Sequence, residues 1–401
     1  MYDFIVVGAG IIGLSVSMQL SETYPQAKIL VIEKEKDISM HQTGRNSGVI
    51  HSGIYYKPGS MKARFAKTGN DHMVEFCERE GVPYDRCGKL IVAVDQRELP
   101  QLEKLYQRGL KNGLDVKKVT KEEIREREPH LKAVDGIYVP TTGIVDYKQV
   151  SAAYVDKFKS QNGELQLETE VKAVENQTGH LLVKTNQGNF KTRFLINCAG
   201  LYSDKIAEKA GVKTDMQIVP FRGEYYKIRK EKEHLVKNLV YPVPNPDFPF
   251  LGVHFTRMVG GGVDIGPNAV LSFKREGYTK TDVDLKELIE VLKYKPFWQI
   301  AFGNMQEGLK EIFKSFSKKM FLKDVNKYFP QLKEEDLIPA EAGVRAQALS
   351  NDGRLLDDFF IVQSDRAIHV CNAPSPAATA SLEIGNYIVG LVRKKNHSFS
   401  A

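Results

Sequence analysis

Cysteine is scarce in this 401-residue chain, and the four cysteines that occur are far apart. Cys77, Cys87, Cys198 and Cys371 form neither a C-x-x-C pair nor the clustered spacing of a zinc site. The sequence therefore predicts no metal centre and no redox-active cysteine pair, and we expect buried, reduced thiols.

Long hydrophobic runs are also absent. No stretch approaches the roughly 18 to 20 apolar residues that are needed to cross a bilayer. The first apolar run, Phe4–Val7, has the length of a strand and leaves no room before it for a cleaved signal peptide. We therefore expect a cytoplasmic protein.

Charge of one sign does not dominate, since 57 Lys and Arg residues face 50 Asp and Glu residues, for a formal net charge of +7. An excess this mild predicts no nucleic-acid partner. A hydrophobic content of 42% and a charged content of 27% are ordinary for a globular protein. The length suffices for two domains with substantial cores.

What the chain does have is a glycine-rich turn directly after its first strand. Phe4–Val7 is apolar and mostly β-branched, which is typical of a strand buried on both faces. Gly8, Gly10 and Gly13 follow in the G-x-G-x-x-G spacing. Gly8 permits the tight turn, Gly10 lets backbone N–H groups approach a pyrophosphate, and Gly13 lets the helix pack on the strand.

The segment that follows completes a βαβ unit. An apolar helical stretch runs from Leu14 to Leu20, and Lys28–Ile32 forms a second strand that ends at Glu33. At this distance from the last glycine, the Glu33 carboxylate is placed to accept hydrogen bonds from a ribose. With Ile12 and Lys34 beside them, these residues predict a dinucleotide site on a Rossmann-like α/β fold.

The next segment decides between FAD and NAD as the dinucleotide. Thr43–Gly53 is dense in small residues and hydrogen-bond donors, and it begins where a flavoprotein chain returns along its cofactor. A surface loop would explain the glycines, but Val49 and Ile50 within the segment indicate a buried, extended pass. The candidate partners of pyrophosphate or flavin oxygens are Thr43, Arg45, Asn46 and Ser47.

This segment resembles the second cofactor loop of the FAD-dependent D-amino-acid-oxidase-like superfamily. Gln42–Pro58 closely resembles its L-2-hydroxyglutarate dehydrogenase/oxidase branch, and further matching pieces are Phe194–Asp204, Gly343–Arg345 and Asn372–Thr379. The resemblance implies FAD as the cofactor, a glutathione-reductase-like FAD-binding domain, and a second α+β domain built on a mostly antiparallel sheet. It also implies oxidation of L-2-hydroxyglutarate to 2-oxoglutarate, with electrons passed to a membrane quinone or to oxygen.

Two of the central pieces make physical sense as cofactor contacts. Phe194–Cys198 is an apolar strand that opens onto Ala199 and Gly200, and these small residues let backbone and cofactor come close. A plain strand-to-loop turn is the alternative. Upstream, Leu165–Val174 alternates like a strand, and the resemblance implies that Val171 contacts the adenine through its backbone.

The C-terminal piece predicts a strand followed by a helix. Ala367–Cys371 is the strand, and the helix is expected to open within Asn372–Thr379, since prolines are tolerated in a first turn. The positive end of a helix stabilises negative charge, which the resemblance places on the N1–C2=O side of the reduced flavin. A terminal packing helix is the alternative. The cofactor contacts assigned here are Pro374, Ala377 and Thr379.

We expect the FAD-binding domain to be discontinuous, formed by residues 1–84, 146–219 and 336–401. The substrate-binding domain is expected from residues 85–145 and 220–335. Helices are predicted there around Glu98–Asn112 and Lys121–Arg127. The strands predicted for a sheet over the flavin are Lys89–Val94, Phe221–Ile228, Leu239–Val243 and Phe250–Met258.

A 2-hydroxydicarboxylate carries two negative charges, so guanidinium groups are expected in its site. The resemblance places Arg345 where relatives hold a substrate carboxylate. Arg257 is the candidate for the second carboxylate, and a salt-bridged strand arginine is the alternative. Tyr55 and Tyr241 are candidates to line the site, although tyrosines of this kind also occur in cores.

Two histidines compete for the role of catalytic base, because a neutral imidazole near pH 7 suits removal of a hydroxyl proton. His51 lies where the second cofactor loop nears the flavin ring, and related glycerol-3-phosphate oxidases place a histidine there. His254 alternates with Thr256 on one strand face. We favour His51 as the base, with His254 as a second base or a donor to a carboxylate.

Segment 294–327 is a candidate for contact with an anionic membrane surface on the inner face of the cell membrane. Lys310–Lys327 holds six lysines against Glu311 and Asp324, and the aromatic cluster of residues 294–302 precedes it. The alternative is a helix whose apolar face packs on its own domain. Apolar residues at helical spacing in this segment are Leu309, Ile312, Phe313, Phe316 and Met320.

Other functions stay open at the level of sequence. The same scaffold serves oxidation of an amino acid or of glycerol-3-phosphate. A non-catalytic flavin-binding protein is a third function, because cofactor binding alone does not establish turnover.

Overall fold

The computed structural model describes residues 1–244, 252–303 and 305–395. The strands within these residues are β1 (Tyr2–Val7), β2 (Ile29–Ile32), β3 (Val49–Ile50), β4 (Tyr84–Asp85), β5 (Lys89–Ala93), β6 (Lys117–Val119), β7 (Asp135–Val139), β8 (Gly143–Val145), β9 (Glu164–Gln166), β10 (Val171–Gln177), β11 (His180–Thr185), β12 (Gly188–Asn197), β13 (Met216–Gly223), β14 (Tyr226–Ile228), β15 (Leu239–Pro242), β16 (His254–Arg257), β17 (Val263–Gly266), β18 (Val270–Leu271), β19 (Leu337–Pro339), β20 (Gly343–Ser350), β21 (Phe360–Ser364) and β22 (Ala367–Asn372).

The α-helices of the described residues are α1 (Ile11–Thr23), α2 (Met61–Glu80), α3 (Leu99–Lys111), α4 (Lys121–Arg127), α5 (Tyr147–Ser160), α6 (Ser203–Lys209), α7 (Leu285–Lys293), α8 (Lys295–Gly303), α9 (Met305–Phe316), α10 (Lys318–Val325) and α11 (Ser381–Lys395). Helices α3 and α4 lie where the charge and apolar patterns predicted them.

The first sheet is the one that positions the site. Its strands run in the order β10-β11-β12-β1-β2-β9, and β22 pairs with β12. Strand β1 is parallel to both β2 and β12, with Phe4 opposite Ile29 on one side and Phe194 on the other. The carboxyl ends of these three strands therefore meet at one edge, which is where open α/β sheets bind ligands.

The prediction of one strand over Leu165–Val174 is wrong. Residues 164–166 form β9, which pairs with β2, whereas Val171 opens β10 at the opposite side of the sheet. The chain turns between them at Glu168, which has a left-handed φ of 51°. The alternation of apolar and polar residues within a segment does not show which strand each part pairs with.

The second sheet is mostly antiparallel, in the order β19-β14-β17-β16-β15-β5-β7-β6. Strands β13, β18 and β20 form a separate three-stranded sheet, and so do β3, β8 and β4. The predicted strand Phe221–Ile228 is therefore two strands, because β13 ends at Gly223 and β14 starts at Tyr226 in a different sheet. Of the predicted strand Phe250–Met258, residues 250 and 251 lie outside the described part of the chain.

The mixed α/β architecture confirms the predicted fold class. The strands do not respect two of the predicted domain boundaries. Strand β13 continues across the boundary at residue 219, and β19, which was assigned to the FAD-binding domain, pairs within the second sheet. The division into an FAD-binding and a substrate-binding domain is kept as a proposal, with β19 moved to the second.

Two helix predictions need correction. The C-terminal helix α11 starts at Ser381, and residues 375–380 form turns instead of its first turn. Prolines at 374 and 376 account for the delay, because the residue before a proline disfavours helical backbone. The basic stretch 310–327 is two helices, α9 and α10, separated at Ser317, whose hydroxyl caps α10 by accepting from the amide of Met320.

Candidate active site

One cavity of about 1170 Å³ opens at the carboxyl edge of the first sheet and extends to strands β13, β16 and β20. Sites for small ligands usually measure about 300 to 1000 Å³, so this cavity has room for a dinucleotide together with a small substrate. The predicted residues that line it are Gly8, Gly10, Ile12, Glu33, Lys34, Thr43, Arg45, Asn46, Ser47, His51, Tyr55, Val171, Ala199, Gly200, Tyr241, His254, Arg345, Pro374, Ala377 and Thr379.

The glycine turn leaves space for a ligand at the amino end of α1. Gly8 has a left-handed φ of 104°, and a Cβ there would lie 2.6 Å from the carbonyl oxygen of Cys198. A Cβ on Gly13 would lie 1.9 Å from the carbonyl oxygen of Gly8, so Gly13 shapes the turn without lining the cavity. A Cβ on Gly10 would meet only Thr43, at 3.4 Å. This open space beside a helix amino terminus fits a pyrophosphate.

Glu33 lies at the end of β2, as the sequence predicts. Its carboxylate accepts hydrogen bonds from the amides of Ala9, at 2.7 Å, and Glu35, at 3.0 Å. Since a carboxylate offers about four acceptor positions, capacity remains for ribose hydroxyls. Lys34 points to a different partner, because its ammonium pairs with Glu276 and Glu35.

The second cofactor loop is a series of turns over residues 41–46 that leads into the buried strand β3, so the extended pass is confined to Val49 and Ile50. The Oγ1 of Thr43 accepts from the amide of Ile11, at 3.0 Å. Asn46 bonds only to the backbone of its own loop in the described structure, which makes it an organiser of the turn.

Arg45 is also engaged by the protein. Its guanidinium pairs with Glu341 at 3.2 Å, donates to the carbonyl of Met40, and stacks over the ring of Tyr278 at 4.1 Å. Arg45 lines the cavity, but its guanidinium could contact a cofactor only in addition to these three partners.

His41, Glu35 and Glu276 bring three ligand atoms within 4.8 Å of one another. The ammonium of Lys34 already pairs with both carboxylates, and the Nε2 of His41 lies 3.0 Å from each. These charges are satisfied within the protein, so we assign no metal to the cluster.

Contacts from the C-terminal turns hold the backbone at His51. The Oγ1 of Thr379 accepts from the amide of His51 at 3.0 Å and lies 2.8 Å from the hydroxyl of Tyr147. The side-chain amide of Asn70 donates to the backbone carbonyls of Ile50 and His51. His51 is therefore fixed at both backbone groups, and Asn70 and Tyr147 are positioning residues that the sequence patterns did not reveal.

His51 and His254 face the same end of the cavity. Burial, with the charges of Lys89 and Arg345 nearby, lowers the pKa of each imidazole to about 3, so both are neutral near pH 7. The ring of His254 stacks on Tyr241 at 4.0 Å between centroids. Neither imidazole has a hydrogen-bond partner among the described residues, which leaves their ring nitrogens available to a substrate.

The two predicted arginines have different places. Arg345 lines the cavity from β20, and the structure gives its guanidinium no ion pair within the described residues. Arg257 pairs with Asp85 and donates to the carbonyl of Lys237. The prediction that Arg257 binds a carboxylate is therefore wrong, because on β16 it lies on the face opposite His254.

Lys89 is a cation that the sequence analysis did not select. It opens β5 with 1% exposure, and burial lowers its pKa to about 7. Its Nζ lies 4.7 Å from the ring centroid of Tyr55 and 5.0 Å from that of Tyr241. A lysine at the start of an apolar strand looks like a solvent-facing residue in sequence, so no pattern marked it.

Comparison with known proteins extends over nearly the whole chain. The FAD dependent oxidoreductase family matches residues 3–391. L-2-hydroxyglutarate dehydrogenase of Indibacter alkaliphilus is 50% identical over 389 residues, covering 96% of this chain and 98% of the relative. The enzyme of the same name from Escherichia coli K12 is 45% identical over 394 residues, covering 98% and 93%.

A solved structure agrees with this comparison at the level of fold. The L-α-glycerophosphate oxidase of Mycoplasma pneumoniae, with FAD bound, matches with a TM-score of 0.81 at 24% identity, covering 98% of this chain and 94% of that one.

A Rossmann-like sheet whose glycine turn, ribose acid and long cavity suit a dinucleotide, roofed by a mostly antiparallel sheet, defines a flavin-dependent oxidoreductase. The chain belongs to the D-amino-acid-oxidase-like family of FAD-dependent oxidoreductases. FAD is its cofactor, and the predicted family and enzyme class are confirmed.

Proposed function

We propose that this enzyme oxidises L-2-hydroxyglutarate to 2-oxoglutarate and passes the electrons to a membrane quinone or to oxygen. The observation that carries the proposal is the unpaired Arg345 facing two neutral histidines in the cavity. The relatives named above, at 45 to 50% identity over nearly their full lengths, support the choice of substrate.

FAD, when bound, supplies a hydride acceptor for the carbon that bears the substrate hydroxyl. The residues suited to hold it are those of the glycine turn, Glu33, the second cofactor loop and the turns at 375–380.

Arg345 would bind the carboxylate next to the reacting carbon, since a guanidinium forms two parallel hydrogen bonds with a carboxylate. This contact orients the hydroxyl-bearing carbon. Arg345 is exposed on the cavity wall, so this contact would be shielded from water only once cofactor and substrate fill the cavity.

His51 would accept the hydroxyl proton on a ring nitrogen. Its backbone is fixed by Thr379 and Asn70, so the imidazole has a defined origin from which to reach the substrate. Two negative charges on a bound substrate offset the burial and the neighbouring cations that keep the His51 pKa low. His254 would then donate to, or accept from, the same substrate.

Anaerobic reduction of the flavin tests the substrate. L-2-hydroxyglutarate should bleach the enzyme-bound FAD within seconds at millimolar concentration, whereas D-2-hydroxyglutarate, L-lactate, glycine and glycerol-3-phosphate should not. Stopped-flow absorbance near the flavin maximum measures each rate. Faster bleaching by glycine or glycerol-3-phosphate would replace the proposed substrate by one of the alternatives.

We also propose that the enzyme attaches peripherally to an anionic membrane through helices α8 and α9. Apolar side chains project outward there, including Phe316 at 76% exposure and Phe302 at 67%. The alternative of an apolar face packed on its own domain applies instead to α10, whose Phe321 and Val325 are buried. No helix of the described residues combines the length and the hydropathy needed to span a bilayer.

The charge beside this surface suits anionic lipid. Lys318, Lys319 and Lys323 follow the apolar face of α9, while Lys314 and Lys327 pair with Asp324. Other residues of α8 and α9, including Ile300 and Leu309, line the cavity. A lipophilic acceptor would thus meet the cavity wall at the membrane side, which supports a quinone over oxygen.

Vesicle sedimentation tests the membrane proposal. At low salt, the holoenzyme should pellet with phosphatidylglycerol-containing vesicles, and Phe313→Glu combined with Phe316→Glu should reduce the pelleted fraction at least fivefold. Leu110→Glu, on the exposed face of α3, is the matched control and should pellet like the wild type. Equal pelleting of all three proteins, or none by the wild type, would disprove attachment through this surface.

A further inference from the structure

Lys89 presents a charge that the protein itself does not balance. Its side chain is enclosed behind the rings of Tyr55 and Tyr241, which line the cavity, whereas Lys89 itself does not reach the cavity surface. No carboxylate of the described residues forms an ion pair with it. Burial is the one influence on its pKa. A buried ammonium without a counter-ion is costly to keep, so this position suits a ligand that brings a negative charge.

A second polar group at the same place lacks a partner. The hydroxyl of Tyr55 is buried and has no hydrogen-bond partner among the described residues. Buried polar groups are nearly always hydrogen-bonded, so an exception calls for an explanation. Tyr55 and Tyr241 both line the cavity, so a small movement of the Tyr55 side chain would bring its enclosed hydroxyl to an acceptor on a ligand there.

The position of Lys89 relative to the reacting groups points to the substrate. The charges of Lys89 and Arg345 both act on His51 and on His254. Lys89 extends from β5 in the second sheet, whereas Arg345 extends from β20 in the three-stranded sheet. Two cations from different sheets therefore lie near the pair of imidazoles, an arrangement that suits a ligand with a negative charge at each end.

We propose that Lys89 and the Tyr55 hydroxyl form the subsite for the carboxylate remote from the reacting carbon, and that they select dicarboxylates over monocarboxylates. The Tyr55 hydroxyl donates the hydrogen bond and the Lys89 ammonium supplies the charge. Arg345 holds the other carboxylate. This inference rests on the function proposed above and assigns to Lys89 the role that Arg257, paired with Asp85, does not fill.

The test compares L-2-hydroxyglutarate with L-2-hydroxyvalerate, in which a methyl group replaces the remote carboxylate. In the FAD-loaded enzyme, Lys89→Met should lower kcat/KM for L-2-hydroxyglutarate about 10- to 100-fold, mainly by raising KM, as expected when a positive charge next to the bound carboxylate is lost. The rate with L-2-hydroxyvalerate should stay within about twofold of wild type, because it never uses the charge.

The matched control is Lys117→Met, an exposed lysine on β6 of the same sheet, which should change neither substrate. Tyr55→Phe should show the same selective loss as Lys89→Met, to a smaller extent. Equal losses for both substrates would assign Lys89 a structural role, and no loss for either would remove it from the site; each result would overturn the proposal.

The pH profile gives a readout that a structural role would not move. Burial raises the pKa of Tyr55 and Tyr241 and lowers the pKa of His51 and His254 to about 3, so none of these neighbours changes charge between pH 6 and 9. The other cation near the two histidines is the guanidinium of Arg345. Because burial lowers the pKa of Lys89 to about 7, kcat/KM for L-2-hydroxyglutarate should fall above that pH. Lys89→Arg should keep the dicarboxylate preference and abolish the fall, since a guanidinium stays protonated. A fall shared by both substrates would contradict the assignment.

Ligand binding separates failure of this inference from failure of the proposed function. Glutarate and butyrate are titrated against the flavin absorbance of the holoenzyme, without turnover. Glutarate should bind Lys89→Met at least tenfold more weakly than wild type, and butyrate equally well. If Lys89→Met weakens the binding of glutarate but not of butyrate, and L-2-hydroxyglutarate still fails to bleach the flavin, the substrate is another dicarboxylate. If Lys89→Met does not weaken the binding of glutarate, the proposed subsite is wrong.

Discussion

Replacing His51 by alanine should lower kcat at least a hundredfold while FAD remains bound. The expected loss corresponds to the roughly 10²- to 10⁴-fold that a positioned general base contributes. The side chain lines the substrate end of the cavity, whereas the backbone contacts to Thr379 and Asn70 do not involve the imidazole. The truncation therefore removes the base and leaves the loop in place.

Single-turnover reduction of the flavin measures this loss without interference from the acceptor step. His180→Ala, on β11 and away from the cavity, is the control and should reduce at the wild-type rate. Near-normal reduction in His51→Ala would move the role of base to His254. Because the pKa of His51 in the free enzyme is lowered to about 3, kcat/KM, which reports the free enzyme, should not decline between pH 8 and pH 5 through protonation of this group.

Replacing Arg345 by methionine should lower kcat/KM on the order of a thousandfold. Arg345 is exposed on the cavity wall, and we expect bound FAD and substrate to bury its contact with the carboxylate. Removing one partner of such a buried charge pair costs about 2 to 5 kcal/mol, and each 1.4 kcal/mol is a tenfold change in rate. Unlike the effect of Lys89, this loss should apply to dicarboxylates and to 2-hydroxymonocarboxylates alike, because both carry the carboxylate next to the reacting carbon.

Steady-state kinetics with both substrate types distinguishes the two cations. Arg354→Met, an exposed arginine that pairs with Asp352, should leave both substrates unaffected. Arg345→Lys should recover only part of the loss, because an ammonium does not form the bidentate contact. Wild-type kinetics in Arg345→Met would show that the substrate carboxylate binds elsewhere.

The amino-terminal half of the cofactor site could be predicted from sequence because its signals are local. A buried strand, three glycines at fixed spacing and an acid at the end of the next strand are set by the geometry of one βαβ unit. The structure places Gly8, Gly10 and Glu33 where that geometry requires them.

The wrong strand prediction over Leu165–Val174 arose because a single segment does not contain the information on which strands its parts pair with. The pattern over Leu165–Val174 continues through a turn, although its two parts pair with strands on opposite sides of the sheet. The error of placing Arg257 in the substrate site was avoidable, because successive side chains of a strand point to opposite faces. Residues 254 and 256 share one face, so residue 257 had to lie on the other.

The substrate end was the hardest part to predict. Lys89 and Tyr55 are far apart in sequence and come together only through strand β5 and the loop after β3. A lysine is a surface residue in most proteins, and only its tertiary neighbours reveal that this one is enclosed.

The bond from the His51 amide to Thr379 has a consequence for biosynthesis. His51, the residue proposed as the base, is synthesised about one eighth of the way along the chain. Thr379, which binds its amide, and strand β22, which pairs with β12, are synthesised near the end. A nascent polypeptide that ends before residue 367 has neither, and contacts this distant in sequence are slow to form. Cofactor capture should therefore follow release from the ribosome, and a stalled or proteolytically shortened chain should emerge as an inactive apoprotein.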